Sequence, residues 1–225
     1  IFRGLSGYVT IKPYKEDYIM GSRRLGRKRM VSLSKLGEQV TSTAGDGIKD
    51  AIASYTIRRE GLKVVTEIVV DLGTSKADIL TADTANDIIG KGAAENAALC
   101  TIDNSVHGHI TFVEMVCLEV PVATDAPANA DDIDLISLTE KTATQRQGRL
   151  HTDDSETAVI EVGGGWTVGK WDGKGVKDAA AHTVAVVGGQ SLYLVQGGAI
   201  GAGDKAYTSG KFCITLEGWL VPDDI

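Results

Sequence analysis

The segment of residues 164–170 (GGWTVGK) has the residue types and the GxxxxGK spacing of a phosphate-binding loop. In such a loop the lysine is followed by Ser or Thr, which binds magnesium, and by a helix whose N-terminus faces the phosphates. Here Lys170 is followed by Trp171, and the Asp-Gly pair that comes next favours a turn over a helix. Residues 198–203 (GAIGAG) have the glycines of a dinucleotide loop, but no βαβ pattern surrounds them. We therefore expect no cofactor.

Two histidines have a spacing that suits metal binding. On a strand, His107 and His109 would share one face and could bind one metal ion together, if a third ligand came from elsewhere. The alternative, which we favour, is that both are surface or turn residues around Gly108. No GxSxG segment and no local Ser, His and Asp signature indicates hydrolytic catalysis. We therefore predict that the protein is not an enzyme and has no catalytic or metal-binding residues.

The three cysteines, Cys100, Cys117 and Cys213, are odd in number and show no CxxC or Cys/His ligand spacing. Neither a disulfide framework nor a zinc site is indicated. We expect three reduced, buried thiols, which are typical of a protein assembled in a reducing cytoplasm.

Opposite charges are segregated along the chain, whose net charge is −7. Residues 1–60 contain 12 Lys/Arg against 6 Asp/Glu, a balance of +6, whereas residues 61–225 contain 11 against 24, a balance of −13. Such segregation usually reflects an oppositely charged partner. The densest cationic cluster consists of Arg23, Arg24, Arg27, Lys28 and Arg29. We predict that this cluster belongs to an extended arm and is the part of the arm that binds the partner.

The partner of this arm is expected to be protein rather than nucleic acid. A cationic segment can bind phosphates without sequence preference. However, no aromatic side chain lies between the five cations as a stacking platform, and the acidic remainder of the chain would repel nucleic acid. The acidic body of another copy, or a capsid lattice, explains both halves of the chain, because complementary charges favour encounter and register. A solvated loop that binds no partner is the remaining alternative.

The hydrophobic pattern predicts many short strands and no long helix. The chain contains 27 glycines and only 5% aromatic residues, a composition that suits tight turns between strands. One short helix is expected near residues 33–40. We expect strands at residues 7–12, 51–58, 62–72, 87–89, 109–120, 132–138, 157–162, 183–187, 191–196 and 211–220.

These elements predict a mainly β fold with two parts. Residues 1–50 are expected to form an N-terminal strand and the basic arm, and residues 51–225 an antiparallel, jelly-roll-like β-sandwich body. The longest strand should end before Pro121, because proline cannot donate to the sheet ladder. No apolar run of about 18 residues appears, so we expect no contact with a membrane.

Three segments, GHITFVEMVCLEVP, DDIDLISLTEKTA and SLYLVQGG, follow one another in an order that resembles virion structural proteins of tailed bacteriophages. The resemblance extends over residues 62–220. It implies a β-rich capsid decoration or cement protein that assembles in the host cytoplasm and forms a homo-oligomer on the capsid surface. Its implied partners are the major capsid protein and other copies of itself. A major capsid protein is less expected, since the long spine helix of that fold has no counterpart here.

A carbohydrate-binding β-sandwich of a phage tail or fibre is the alternative. In that case the three tryptophans would lie on an exposed face and stack on sugar rings, and the ligand-stacking residues would be Trp166, Trp171 and Trp219. If the protein is structural instead, at least two of them should lie in the core or at contacts.

Overall fold

The computed structural model describes residues 38–39, 43–73, 88–90, 97–124, 131–139, 157–162, 164–175, 186, 188–196 and 206–221. Within them the strands are β1 (Glu38–Gln39), β2 (Ile52–Glu60), β3 (Lys63–Asp71), β4 (Cys100–Thr101), β5 (His109–Ala123), β6 (Ile133–Thr139), β7 (Thr157–Ile160), β8 (Trp171–Gly175), β9 (Gln190–Gln196) and β10 (Tyr207–Trp219). Two short helices occur among the same residues: a 3-10 helix (Lys49–Ala51) precedes β2, and the α-helix α1 (Asn104–His107) precedes β5.

The strands form two antiparallel sheets. The large sheet has the order β1-β2-β3-β10-β5-β8, and the small sheet has the order β4-β9-β6-β7. Side chains from both sheets meet in one hydrophobic core, so the predicted mainly β, antiparallel sandwich is confirmed. No described helix is long and apolar enough to cross a membrane.

Alternating side chains explain why β3 and its neighbours form a sheet with one buried face. Val64, Ile68 and Val70 point into the core, whereas Lys63 and Glu67 point to the opposite face. The hairpin from β2 to β3 turns at residues 61–62, where the positive φ of 68° is readily adopted by glycine. The strands predicted at residues 51–58 and 62–72 are therefore confirmed.

The core is closed by aromatic packing between the sheets. The indole of Trp166 packs edge-on against Phe212 at 5.4 Å between ring centroids, and its Nε1 donates to the carbonyl of Ile133 at 2.7 Å. The small sheet is buried on its other face as well, by a second cluster: Ile88, Ala97, Ala98, Ile136, Leu138, Tyr193 and Val195. We call the face of the large sheet that points away from the core the outer face.

The structure differs from the prediction at three elements. β5 continues through Pro121 to Ala123, because the pairing with β10 is irregular there and Gly210, at a φ of 133°, leaves room for the proline ring. The Asp-Gly pair at 172–173 lies inside β8, and the turn instead has Gly169 at a φ of 80°. α1 was not predicted at all.

Other expectations fall partly or wholly outside the described residues. The predicted helix near 33–40 is wrong at Glu38–Gln39, which pairs with β2 as strand β1. The predicted strands at 7–12 and 183–187 lie outside the described residues, apart from the buried Val186. The arm residues Arg23, Arg24, Arg27, Lys28 and Arg29 also lie outside them, so the arm and its boundary at residue 50 stay predictions.

Candidate interaction surface

The strand register brings an apolar row across the outer face. Val69 on β3, Cys213 on β10, Val116 on β5 and Trp171 on β8 are successive cross-strand neighbours. Because partners in an antiparallel register lie on the same face, their side chains form one continuous line. Cys213 is only half-buried, so the expectation of three buried thiols is confirmed for Cys100 and Cys117 and wrong for Cys213.

Ion pairs lie beside this row. Arg58 binds Glu67, Lys63 binds Glu217 and Lys211 binds Asp71, each at 2.8 Å between nitrogen and oxygen. The hydrogen bond and charge of Asp71 raise the pKa of Lys211. All three pairs are partly exposed to water, and ion pairs of this kind contribute little to stability. They therefore set the register of the strands more than they stabilise the sandwich.

Of the seven large apolar side chains that are exposed among the described residues, all but Val122 fall into two groups at the large sheet. The β8 patch consists of Leu118, Val168 and Trp171, of which Val168 is 68% exposed and Trp171 is 64% exposed. The β10 patch consists of Leu62, Trp219 and Val221, with Trp219 49% exposed. Cys213, which is aligned with Trp171, precedes Trp219 by six residues along β10. At about 3.4 Å per residue, the two patches are about 20 Å apart along the strands.

Strand β8 lies at one edge of the large sheet and, among the described strands, pairs only with β5. The N–H of Cys117 donates to the carbonyl of Lys170 at 2.9 Å, so the backbone of Lys170, just before β8, faces β5. In an antiparallel pair only alternate residues exchange hydrogen bonds with the neighbouring strand. The backbone groups of Trp171, Gly173 and Gly175 therefore point away from β5, toward an edge along which no further strand lies among the described residues; we call it the open edge.

The carboxylate of Asp172 already covers part of this edge. Its Oδ1 accepts a hydrogen bond from the N–H of Gly173 at 2.8 Å. On the outer face, the ring of Phe112 lies over the two glycines of β8: a Cβ on Gly175 would be 2.9 Å from it, and one on Gly173 would be 3.4 Å from it. A side chain at position 175 would therefore have to displace the ring of Phe112.

The three tryptophans predicted as a stacking set are not together. Trp166 is 1% exposed and packed in the core, so its ring presents no face to a ligand. Trp171 and Trp219 both lie on the outer face, but in different patches. Among the described residues, no ring of one of these tryptophans packs against the ring of another.

The GxxxxGK segment has a structural role. Nζ of Lys170 donates to the carbonyl of Gly165 at 3.0 Å and lies 5.7 Å from the ring centroid of Trp166. A phosphate loop presents backbone N–H groups to an anion, whereas this lysine binds the carbonyls of its own loop. The chain then enters β8 and not a helix, as expected from the missing Ser or Thr.

The two histidines do not share a face. His107 ends α1 and is 2% exposed, whereas His109 is exposed at the start of β5. The prediction that both lie at the surface is therefore wrong for His107. Burial lowers its pKa, and its Nε2 lies 2.7 Å from the hydroxyl of Tyr55. No group of three or more potential metal ligands occurs in the part of the chain that the structure describes.

Sequence patterns could have revealed one of these features. The Asp103 side chain accepts from the N–H of Ser105 at 2.8 Å, which is the N-cap arrangement that starts α1. An Asp followed by short polar residues is a recognisable helix start. The edge strand β8 had no such signal, because WDGKG contains a turn dipeptide and only one apolar residue.

Comparisons with known proteins identify no family. No family model matches the sequence, and no curated protein matches it. Among solved structures, a chain from the X-ray structure of tomato aspermy virus is similar, with 14% identity over 90% of this chain and 96% of that chain. The TM-score is 0.31, so this likeness defines neither a shared fold nor a shared function.

Proposed function

We propose that this protein is a non-enzymatic virion structural protein of a tailed bacteriophage, and specifically a capsid decoration or cement protein. It binds the major capsid protein and neighbouring copies of itself on the capsid surface. The observation that carries the proposal is the presence of two separate apolar patches on one sheet, each built around an exposed tryptophan.

The arrangement of the patches favours assembly over catalysis. Exposed apolar surface is a common mark of protein–protein contact sites, particularly when charged side chains surround it. A component of a shell contacts more than one neighbour, and two patches about 20 Å apart provide for two contacts. The polar groups best placed for chemistry, Tyr55 and His107, are instead buried against each other in the core.

The predicted basic arm supplies a third contact in this proposal. Its five cations would lie on acidic surface of a neighbouring subunit, and complementary charge would speed and orient the docking. Such contacts weaken as salt screens them. Binding through the arm is therefore expected to depend on ionic strength, whereas binding through the patches is not.

The test measures binding of the full-length chain to empty capsids of its source phage by co-sedimentation. Replacing all five arm cations by Gln should weaken binding by about tenfold and remove its salt dependence. Lys49→Gln, which changes an exposed cation outside the cluster of five, is the control and should bind normally. Trp171→Ser and Trp219→Ser should each weaken binding at every salt concentration. Failure of the unmodified chain to bind any capsid would reject the proposal.

A carbohydrate-binding module of a phage tail or fibre is the second candidate function, and the exposure of Trp171 and Trp219 favours it. Aromatic rings on an exposed sheet face stack on sugars. Because Trp166 is buried, only Trp171 and Trp219 could stack on a sugar ring. Quenching or shift of tryptophan fluorescence by oligosaccharides, lost in Trp171→Phe but unaffected by protein concentration, would support this function against the first.

A further inference from the structure

We infer that two copies of this chain associate edge to edge through β8, which pairs antiparallel with β8 of a second copy about a two-fold axis at Gly173. A two-fold interface requires one surface that is complementary to itself. The five residues of β8 have this property in one register, in backbone hydrogen bonding, in side-chain size and in charge. The large sheet would then run without a break through both copies.

The backbone provides the first component of the fit. Trp171, Gly173 and Gly175 direct their N–H and C=O groups to the open edge, as the hydrogen bond between Cys117 and Lys170 determines. With Gly173 opposite Gly173 of the second copy, Trp171 lies opposite Gly175 of that copy. All three positions then form hydrogen-bonded pairs, which is how exposed strand edges recruit another chain.

Side-chain size provides the second component. Trp171 and Gly175 point to the same outer face, so the bulky indole of one copy lies opposite a residue without a side chain in the other. On the same outer face the ring of Phe112 lies over Gly175, so that a Cβ added to this glycine would be 2.9 Å from the ring. The indole would therefore pack against Phe112 of the second copy. Aromatic side chains that cover glycine across strands stabilise sheets in this way.

Charge provides the third component. In the same register Asp172 lies opposite Lys174 of the second copy, and the symmetry repeats this pair. Both residues are half-exposed on the face opposite to Trp171. A shift of the register by two residues would place Asp172 opposite Asp172 of the second copy, or Lys174 opposite Lys174. Like charges directly opposite destabilise a strand pair, so the charges select the register that the tryptophan and glycine also favour.

Asp172 has a further part in this pairing. In the isolated chain its Oδ1 accepts from the N–H of Gly173 and so covers the group that would lie nearest to the two-fold axis. Edge strands commonly protect themselves with charged residues against unwanted pairing. Association requires this carboxylate to exchange its local hydrogen bond for Lys174 of the second copy, which makes pairing selective for an edge with a cation at that position.

The inference deepens the proposed function by naming one contact between copies, and it rests on that function only for its biological setting. The experiment uses the full-length chain alone and measures its dimer dissociation constant by sedimentation equilibrium. Asp172→Lys and Lys174→Asp each bring like charges together twice and should weaken the dimer by about tenfold. The double variant D172K/K174D restores opposite charges and should regain most of the original affinity.

Matched variants separate this contact from general effects on surface charge or folding. Glu60→Lys reverses an exposed charge at the β2–β3 turn and should leave dimerisation unchanged. Trp171→Ala should abolish the dimer, whereas Val122→Ala, an exposed apolar residue at the other end of β5, should not. Circular dichroism checks that every variant is folded. A monomeric parent chain, or a double variant no better than the single ones, would overturn the inference.

The inference and the proposed function can fail separately. A chain that dimerises through β8 but binds no capsid rejects the proposed function alone. A chain that binds capsids while remaining monomeric, with Asp172→Lys and Lys174→Asp binding normally, rejects the β8 contact alone.

Discussion

The hydroxyl of Tyr55 lies 2.7 Å from Nε2 of His107, and this buried hydrogen bond joins β2 to α1. The other ring nitrogen, Nδ1, lies 3.0 Å from the backbone N of Asp103. Both ring nitrogens of this almost fully buried side chain are thus engaged. Such satisfied buried polar groups stabilise a fold, and removing one partner costs more than the bond itself contributes.

Tyr55→Phe should therefore lower the free energy of unfolding. The substitution removes only the hydroxyl and leaves Nε2 of His107 buried without this partner, at a cost of about 1–3 kcal/mol. Urea unfolding monitored by circular dichroism measures the change. Thr208→Ala, which removes an exposed hydroxyl on β10, is the control and should cost less. Equal stability of Tyr55→Phe and the parent chain would show that the hydrogen bond contributes nothing.

Stability should fall as the pH decreases below about 6.5, the usual pKa of histidine. Burial lowers the pKa of His107, with the nearby Asp103 opposing this shift. In the window between the lowered folded pKa and the unfolded value, the unfolded chain binds more protons than the folded one. The stabilisation that neutral His107 gives to the folded chain is complete above the pKa of this histidine in the unfolded chain. It is lost as the pH falls from that value to the lowered pKa in the folded chain.

Urea unfolding at a series of pH values between 7.5 and 5 tests this expectation. His107→Gln should flatten the profile in that range, although it lowers stability overall. His109→Gln, which changes the exposed histidine of the same segment, should retain the slope of the parent chain. A slope that depends on His109 instead would contradict the assignment.

Thr66→Val should raise the free energy of unfolding by about 1 kcal/mol. Thr66 is fully buried in β3 between Ile57 and Leu216, and its hydroxyl has no hydrogen-bond partner in the part of the chain that the structure describes. Valine has a similar shape without the cost of a buried polar group. Thr215→Val on the outer face is the control. Thermal unfolding measures both, and a less stable Thr66→Val would contradict this prediction.

Gly108→Ala should destabilise the protein by more than about 2 kcal/mol. Gly108 adopts a φ of 71° and a ψ of 178°, and a Cβ there would lie 2.7 Å from the backbone N of Trp219. Gly189→Ala is the matched control, because its φ is 85° but nothing lies within 4 Å of its added Cβ. Gly189→Ala should lower the free energy of unfolding only through backbone strain, by about 1 kcal/mol. Equal costs for the two variants would exclude close packing as the cause.

The strands with clear alternation were predictable, and the elements that depend on neighbours were not. β3 was predictable because its segment is rich in β-branched residues and has one clearly apolar face, and because Gly61 marks the turn before it. β8 is a strand because its backbone pairs with that of β5, although its own residues favour a turn. β5 passes Pro121 because the opposite residue is Gly210. In both cases contacts with the neighbouring strand override the structural preference of the local sequence.

The candidate site was predictable only as a set of residue types. The sequence identifies Trp166, Trp171 and Trp219 as candidates, yet only the register separates one core residue from two exposed ones. The self-complementary order of Trp171, Asp172 and Lys174 becomes visible once β8 is known to be an edge strand. Which residues lie at an edge depends on strand order, which local pattern does not encode.

The most direct test of the central claim is cryo-electron microscopy of the native particle. We predict density for this β-sandwich at symmetry-equivalent positions on the outside of the capsid, with the β8 and β10 patches buried against neighbouring subunits. A capsid map without such density, or a sandwich whose Trp171 and Trp219 both face solvent, would contradict it.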